Sequence, residues 1–333
     1  MRSGFRVAMV KMESIYIESE ALSNNPLKDP SKREVLVFTP DERKANSPLF
    51  LCLPSFASNA RSFLNKEPLN ENLPSILQSL YERNLIGNAT VAIVDSFTKV
   101  GGNQYVNSTA VGNYEDFIIN EVIPKLKDTY NCGNVGIFGK DSGGFGAYTL
   151  SVRYPSVVQG FAAHSMDAGF EFCYLPDFTL AMEAFRESNG PSKWLQKYWA
   201  GKNRSRSTAF RTLSVIEKSL FYSPNESSSE LGADFPFDWE SGEFKQDIWT
   251  KWQNWDPAKN AVDFLRQIES MNFLYLDVGI MDEFSLLWGN RAVDKALTSA
   301  GIKHFYEEYE DGHFGIVYRF EKSLTMMAAA LSI

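Results

Sequence analysis

The chain reads as an α/β protein, with a mostly parallel central sheet, helices on both faces, and a helical and loop cap inserted over it. Three observations predict this. Continuously apolar runs at residues 48–54, 89–95 and 273–279 have the composition of strands buried on both faces of a sheet. Segments of helical spacing alternate with such runs, the pattern of parallel strands joined by crossover helices. Residues 168–260 break that rhythm, hold six of the seven tryptophans and show no strand–helix repeat. The expected division is a core of residues 1–167 with 261–333, and a cap or lid of residues 168–260.

Composition bounds the partners. The 333 residues are 44% hydrophobic and 22% charged, enough for a sizeable core. A net charge of -8 argues against nucleic acid as a partner. Cys52, Cys132 and Cys173 form no C-x-x-C pair and read as small buried hydrophobes. Three histidines, His164, His304 and His313, are too few for a metal cluster, and no metal or other cofactor is expected. There is no apolar run of membrane-spanning length and no apolar leader segment, so a cytoplasmic protein is expected. The expected partner is a small-molecule substrate, with no membrane association and with homo-oligomerisation left open.

In chain order, residues 12–18 and 33–39 alternate as strands, with a turn-rich stretch between them. Residues 48–54 form a buried strand, and the loop of small residues from Ser55 follows it. Residues 73–83 have helical spacing, and 89–95 form another strand. Residues 96–111 are a polar loop. Residues 114–130 form a helix with acidic residues first and lysines last, as the helix dipole favours. Residues 158–166 form a strand with His164 near its carboxyl end. After the cap come a strand at 273–279, a helix at 286–300 with Gly301 as its C-cap, a strand at 303–310 and a closing helix at 320–331.

The central stretch is Val135–Tyr148, read as an apolar strand, a glycine-pinched turn and a helix start. A nucleophile elbow needs small residues two before and two after the exposed side chain. Gly139 and Gly143 flank Asp141 in this way. Ser142 does not qualify, since Lys140 stands two residues before it. Asp141, then Asp282 after the strand ending at Gly279, then His313 after the last strand, give the chain order nucleophile, acid, histidine. In this reading His313 serves Asp141, and Asp282 orients His313. The backbone N–H groups of Ser142 and of Phe56, in the small-residue loop, are the candidate oxyanion donors. Glu283 competes with Asp282 for the acid position. Tyr105 and Asn107, in the polar loop, and His164 are the candidate substrate-binding residues; their alternatives are a solvated loop and a structural histidine.

These motifs carry a resemblance. The elbow with Arg153-Tyr154-Pro155, the stretch from Tyr105 to Phe117 with Glu121-Val-Ile-Pro124, Gly279-Ile-Met-Asp-Glu-Phe284 and Asp311-Gly-His313 resemble the esterase family that includes S-formylglutathione hydrolase (esterase D), mycolyltransferases and enterochelin esterases. The resemblance spans residues 49–166 and 273–320. It implies an α/β-hydrolase fold, hydrolysis of acyl esters or thioesters, Asp282 as triad acid, His313 as triad base, and the Ser142 and Phe56 amides as oxyanion hole. The chain departs from the family pattern where the family's serine falls on Asp141 and its histidine–glycine pair reads Pro54-Ser55.

An aspartate changes the chemistry. Its attack on an acyl carbonyl would give an anhydride. Its attack on a saturated carbon gives an ordinary ester that activated water can hydrolyse. Dehalogenases and epoxide hydrolases of this fold use the second route, with a tryptophan after the aspartate or with cap tyrosines as acids. Here Ser142 follows Asp141, and Tyr174, Tyr198 and Tyr222 lie in the cap region. The readings are therefore an esterase-like hydrolase, an aspartate-nucleophile hydrolase of alkyl electrophiles, a site where Asp141 acts as general base, and a non-hydrolytic ligand-binding descendant.

Overall fold

The computed structural model describes residues 10–202 and 207–332. Residues 1–9, where a leader was sought, residues 203–206 of the expected cap, and Ile333 lie outside them. The strands are β1 (Val10–Glu18), β2 (Lys32–Pro40), β3 (Ser47–Leu53), β4 (Thr90–Val94), β5 (Asn107–Ser108), β6 (Gly112–Asn113), β7 (Cys132–Asp141), β8 (Gly160–Met166), β9 (Phe273–Gly279) and β10 (Phe305–Tyr309). β5 and β6 form a small hairpin in the polar loop. The other eight make one sheet in the order β1-β2-β4-β3-β7-β8-β9-β10. β2 runs antiparallel to both of its neighbours, and every pair from β4 through β10 is parallel.

The helices are α1 (Leu73–Glu82), α2 (Tyr114–Asp116), α3 (Ile123–Tyr130), α4 (Ser142–Arg153), α5 (Phe170–Cys173), α6 (Phe178–Ser188), α7 (Pro191–Ala200), α8 (Ser207–Tyr222), α9 (Gln246–Gln253), α10 (Pro257–Asn260), α11 (Leu265–Glu269), α12 (Leu286–Ser299) and α13 (Arg319–Leu331). The helix expected at 114–130 is continuous, but a π-turn at Phe117–Val122 joins α2 to α3. Pro124 explains it: with no N–H and a ring that crowds the preceding turn, it favours a widened turn over regular α geometry.

Strand alternation splits the core into two layers. Val35, Val37, Leu49, Leu51, Ile137 and Ala163 face α2–α4 and α12. Leu36, Phe38, Phe50, Phe138, Ala162 and Tyr275 face α1 and α13. Helices thus cover both faces, which explains why the central strands are apolar on both sides. The three cysteines are buried thiols. Among the described residues no helix is long and apolar enough to cross a membrane.

Between β8 and β9 the chain adds nothing to the main sheet. Its helices pack around aromatic side chains, among them Phe178 between Trp249 and Trp252. Asp256 ties this segment to the strand end. Its buried carboxyl accepts the N–H groups of Gly169 (2.8 Å), Phe170 (2.8 Å) and Ala258 (2.9 Å). Burial raises its pKa to about 6 despite those three donors. Asp256→Ala orphans two buried N–H groups and the half-buried one of Ala258. It is expected to cost about 3 kcal/mol and to lower the thermal midpoint by roughly 4 °C, measured by calorimetry. A midpoint within a degree of wild type would show that the contact carries no stability.

Candidate active site

The site forms where β7 turns into α4. Asp141 has φ 57° and ψ −129°, a conformation that costs energy for a residue with a Cβ. The flanking glycines are required by contact. A Cβ on Gly139 would lie 2.6 Å from the Gly143 carbonyl carbon, and one on Gly143 would lie 2.0 Å from the Leu53 oxygen. This packing holds the elbow against the end of β3 and brings the loop after β3 beside it. There the Phe56 N–H donates to Asp141 Oδ2 at 3.1 Å.

His313 arrives on the loop after β10. Its Nδ1 lies 2.9 Å from Asp282 Oδ2, and its backbone N–H donates to Glu283 Oε2 at 2.6 Å. The two neighbouring acids therefore divide the work: Asp282 meets the ring and Glu283 anchors the chain. The Asp282 side chain has no solvent exposure and also accepts the Phe284 N–H at 3.0 Å. With Nδ1 engaged, Nε2 is the ring nitrogen left for the cavity that His313 lines with Asp141.

That cavity measures about 420 Å³, and its walls include Phe56, Lys140, Asp167, Tyr174, Phe210 and Lys218. None of the tryptophans lines it. Burial holds the Lys140 ammonium below the ordinary lysine range, although Asp141, Asp282 and Glu283 pull it upward. Burial works against the charge on Lys218 too, but Glu217 at 3.0 Å, Asp167 and Asp141 outweigh it and raise its pKa. Among the described residues no cluster of three or more His, Cys, Asp or Glu is placed to hold a metal ion.

Asp167, Lys140 and Lys218 are cavity residues that the sequence reading does not single out. Asp167 follows β8, so its place at a strand's carboxyl end was the available signal. Lys218 had none, because Glu217-Lys218 in a helix reads as a solvated pair. The Ser142 hydroxyl is buried, donating to Asp167 Oδ2 at 3.2 Å and accepting from Gln104 at 3.0 Å, which leaves it no nucleophile's role. Of the cap-region tyrosines, Tyr174 reaches Asp167 at 2.6 Å and Tyr222 donates to Gln104 at 2.7 Å. Tyr198 stacks on Trp194.

The three expected substrate-binding residues are corrected. His164 has no solvent exposure and points to the α13 face of the sheet, with Nδ1 2.7 Å from Asp277 and Nε2 2.9 Å from Ser323 Oγ. These three groups have triad-like spacing, but all are sealed in the core. Tyr105 is buried, and its hydroxyl bonds the Pro54 carbonyl and Ser96. It braces the loop after β3 from behind. Asn107 lies on the exterior and accepts the Asp116 N–H at 3.1 Å.

A family model described as "Putative esterase" matches residues 76–331. No curated protein matches the sequence significantly. Similar solved structures include a ferulic acid esterase (15% identity, 97% of this chain and 99% of that one, TM-score 0.59). An S-formylglutathione hydrolase from Agrobacterium tumefaciens is 13% identical over 96% of this chain and 95% of that one, with a TM-score of 0.57. A fluorophosphonate-binding serine hydrolase from Staphylococcus aureus is 12% identical over 96% and 99%, with a TM-score of 0.56. Identities this low establish the shared α/β-hydrolase fold.

The assignment of the two acids is open to proton NMR. A histidine N–H shared with a carboxylate resonates far downfield, and three such signals are expected, from His313, His164 and His304. Asp282→Asn should shift or remove the His313 signal and spare the other two, while Glu283→Gln should leave all three. Loss of the His313 signal in Glu283→Gln would make Glu283 the ring's partner.

Proposed function

Because this chain belongs to the putative esterase family, we propose that it is a hydrolase of small organic substrates that works through Asp141, His313 and Asp282. Residues 168–260 then act as the cap of the site, and 1–167 with 261–333 as its catalytic core. The observation that carries the reading is the elbow conformation of Asp141 with one carboxyl oxygen already on the Phe56 N–H.

That contact favours one of the chemistries. In a serine esterase the oxyanion donors wait for the substrate's carbonyl. Here the Phe56 N–H holds the enzyme's own Oδ2, where charge would develop if an ester on Asp141 were hydrolysed. The route that uses this arrangement begins with attack of Asp141 Oδ1 on a saturated carbon, whose leaving group departs with the bonding electrons. His313 Nε2 then takes a proton from water, and the hydroxide adds to the Asp141 carboxyl carbon. The tetrahedral oxyanion sits on Oδ2 between the Phe56 and Ser142 N–H groups. Collapse expels the alkoxide, which takes the proton from His313, and leaves Asp141 with one oxygen from water. Asp282 holds the imidazolium in place meanwhile.

Family membership favours a second reading, ester cleavage at the acyl carbon with Asp141 as general base on water. A single turnover in heavy-oxygen water separates the two, with 1-bromobutane, phenyl glycidyl ether and p-nitrophenyl butyrate as probes. The covalent route puts label into the Asp141 carboxylate; the general-base route puts it only into product. Asp141→Asn and His313→Ala are each expected to lower kcat at least about 10³-fold. Full turnover in both variants would refute the reading. Asp141→Ser is expected to gain p-nitrophenyl butyrate hydrolysis, because it frees the Phe56 N–H for a substrate oxyanion. A serine variant as inert as wild type would show that the oxyanion hole is not formed.

A further inference from the structure

We propose that Asp141 and Asp167 share one proton, and that Asp167 is the acid that delivers it to the leaving atom as Asp141 attacks. The inference rests on the reading of Asp141 as nucleophile and adds a residue and a substrate class to it.

The geometry begins with the pair itself. Asp141 and Asp167 stand at the ends of neighbouring strands: the Asp167 N–H donates to the Asp141 carbonyl at 3.4 Å, and both residues line the same cavity. Two carboxylates side by side and out of water cannot both stay ionised at low cost, so one proton between them is favoured. Asp167 is the better holder. It is only 2% exposed yet lines the same cavity as Asp141. Its Oδ2 accepts the Tyr174 hydroxyl at 2.6 Å and the Ser142 hydroxyl at 3.2 Å, which leaves Oδ1 to carry the proton.

The surrounding charges agree. Asp141 faces Asp167 from the end of β7, Tyr174 from beyond α5, and Lys218 from α8, with Nζ 3.9 Å away. Glu217 stands behind Lys218 at 3.0 Å, and Lys140 stands beside Asp141. Lys218 is paired with Glu217, and Lys140 is shared among Asp141, Asp282 and Glu283, so an ionised Asp167 would add to an excess of negative charge. Burial, reinforced by the Asp141 charge and opposed by Lys218, raises the Asp167 pKa to about 8.

The proton has a closed path. As Asp141 Oδ1 forms its bond to carbon, the bond from carbon to the leaving atom breaks, and that atom takes the Asp167 proton. Hydrolysis of the Asp141 ester regenerates Asp141 as a carboxylic acid, whose proton returns to Asp167 beside it. For an epoxide the sum is epoxide plus water to diol. An acid here serves an oxygen leaving group, as in epoxides and alkyl esters. A halide ion is too weak a base to need it.

The proton is read without turnover by infrared difference titration of protein labelled with carboxyl-¹³C aspartate, from pH 7 to 10. Wild type should show an aspartic-acid carbonyl band that disappears with a midpoint near 8. The band should be absent in Asp167→Asn, and its midpoint should fall by about one unit or more in Asp141→Asn, where the neighbouring charge is gone. No such band in wild type, or an unmoved midpoint in Asp141→Asn, overturns the shared proton even if Asp167→Asn does not fold. The acid role is read by comparing probes. Asp167→Asn should lower phenyl glycidyl ether turnover about 10²-fold or more and 1-bromobutane turnover by much less. Equal losses on both would overturn the acid role. If wild type turns over neither probe, the nucleophile reading fails and the acid role with it, while the titration still decides the shared proton.

Discussion

At Asp141 the backbone passes from strand to helix within one residue, and the site depends on that turn being held. The positive φ carries strain, and its stability comes from the fit around it: Gly139 and Gly143 lie within contact of each other, and Gly143 presses on the Leu53 carbonyl. Because the same contact anchors the start of the 54–57 loop, the Phe56 amide and the Asp141 carboxyl are positioned by a single packing event. Tyr105 braces that loop from the other side through the Pro54 carbonyl. The geometries of the Asp141 carboxyl and of the Phe56 amide are therefore not independent variables in this fold.

A second constraint is electrostatic. The cavity gathers Asp141, Asp167, Lys140, Lys218 and His313, with Asp282 behind the histidine. Buried charges persist only when paired or hydrogen-bonded. The structure meets this with short local pairings: Lys218 with Glu217, Arg211 with Asp177, and Asp282 with both a ring nitrogen and a backbone amide. α8 supplies both Arg211 and Lys218. The segment between β8 and β9 thus places two cations at the cavity, beside Lys140 of β7.

The sheet was legible because its strands are apolar on both faces, and β9 at 273–279 agrees to the residue. The elbow was legible because glycines must flank it, and Asp282 and His313 because they follow strand ends in the required order. What the sequence hides is which way side chains point. Ala163 and Met166 are three residues apart on β8, yet both pack into the same side of the sheet. A register shift intervenes: Lys140 pairs with His164, but Asp141 pairs with Met166, so Ser165 is an extra residue with φ 38°. A bulge of this kind breaks the two-residue period on which facing arguments rest. The buried histidine with its Asp277 and Ser323 partners then looks catalytic by composition alone. Tyr105 and Asn107 failed for a related reason: a polar loop can fold back to brace its neighbours instead of opening toward the cavity.

The bulge also bears on why an aspartate can occupy the elbow. A carboxylate at position 141 meets an acidic neighbour at 167 that the shifted register brings alongside it, and two adjacent negative charges out of water would be strongly unfavourable. The one proton proposed for the pair would resolve the conflict, and the Tyr174 and Ser142 hydroxyls leave Oδ1 of Asp167 to hold it. With a serine at 141 the same Asp167 would lose the charge that most directly favours its neutral form, leaving burial opposed by Lys218. The residue at the elbow and the state of the acid beside it are therefore physically coupled. The proposed route uses two features of this site together: the Phe56 N–H on the protein's own carboxyl, and a second carboxyl beside it at the cavity.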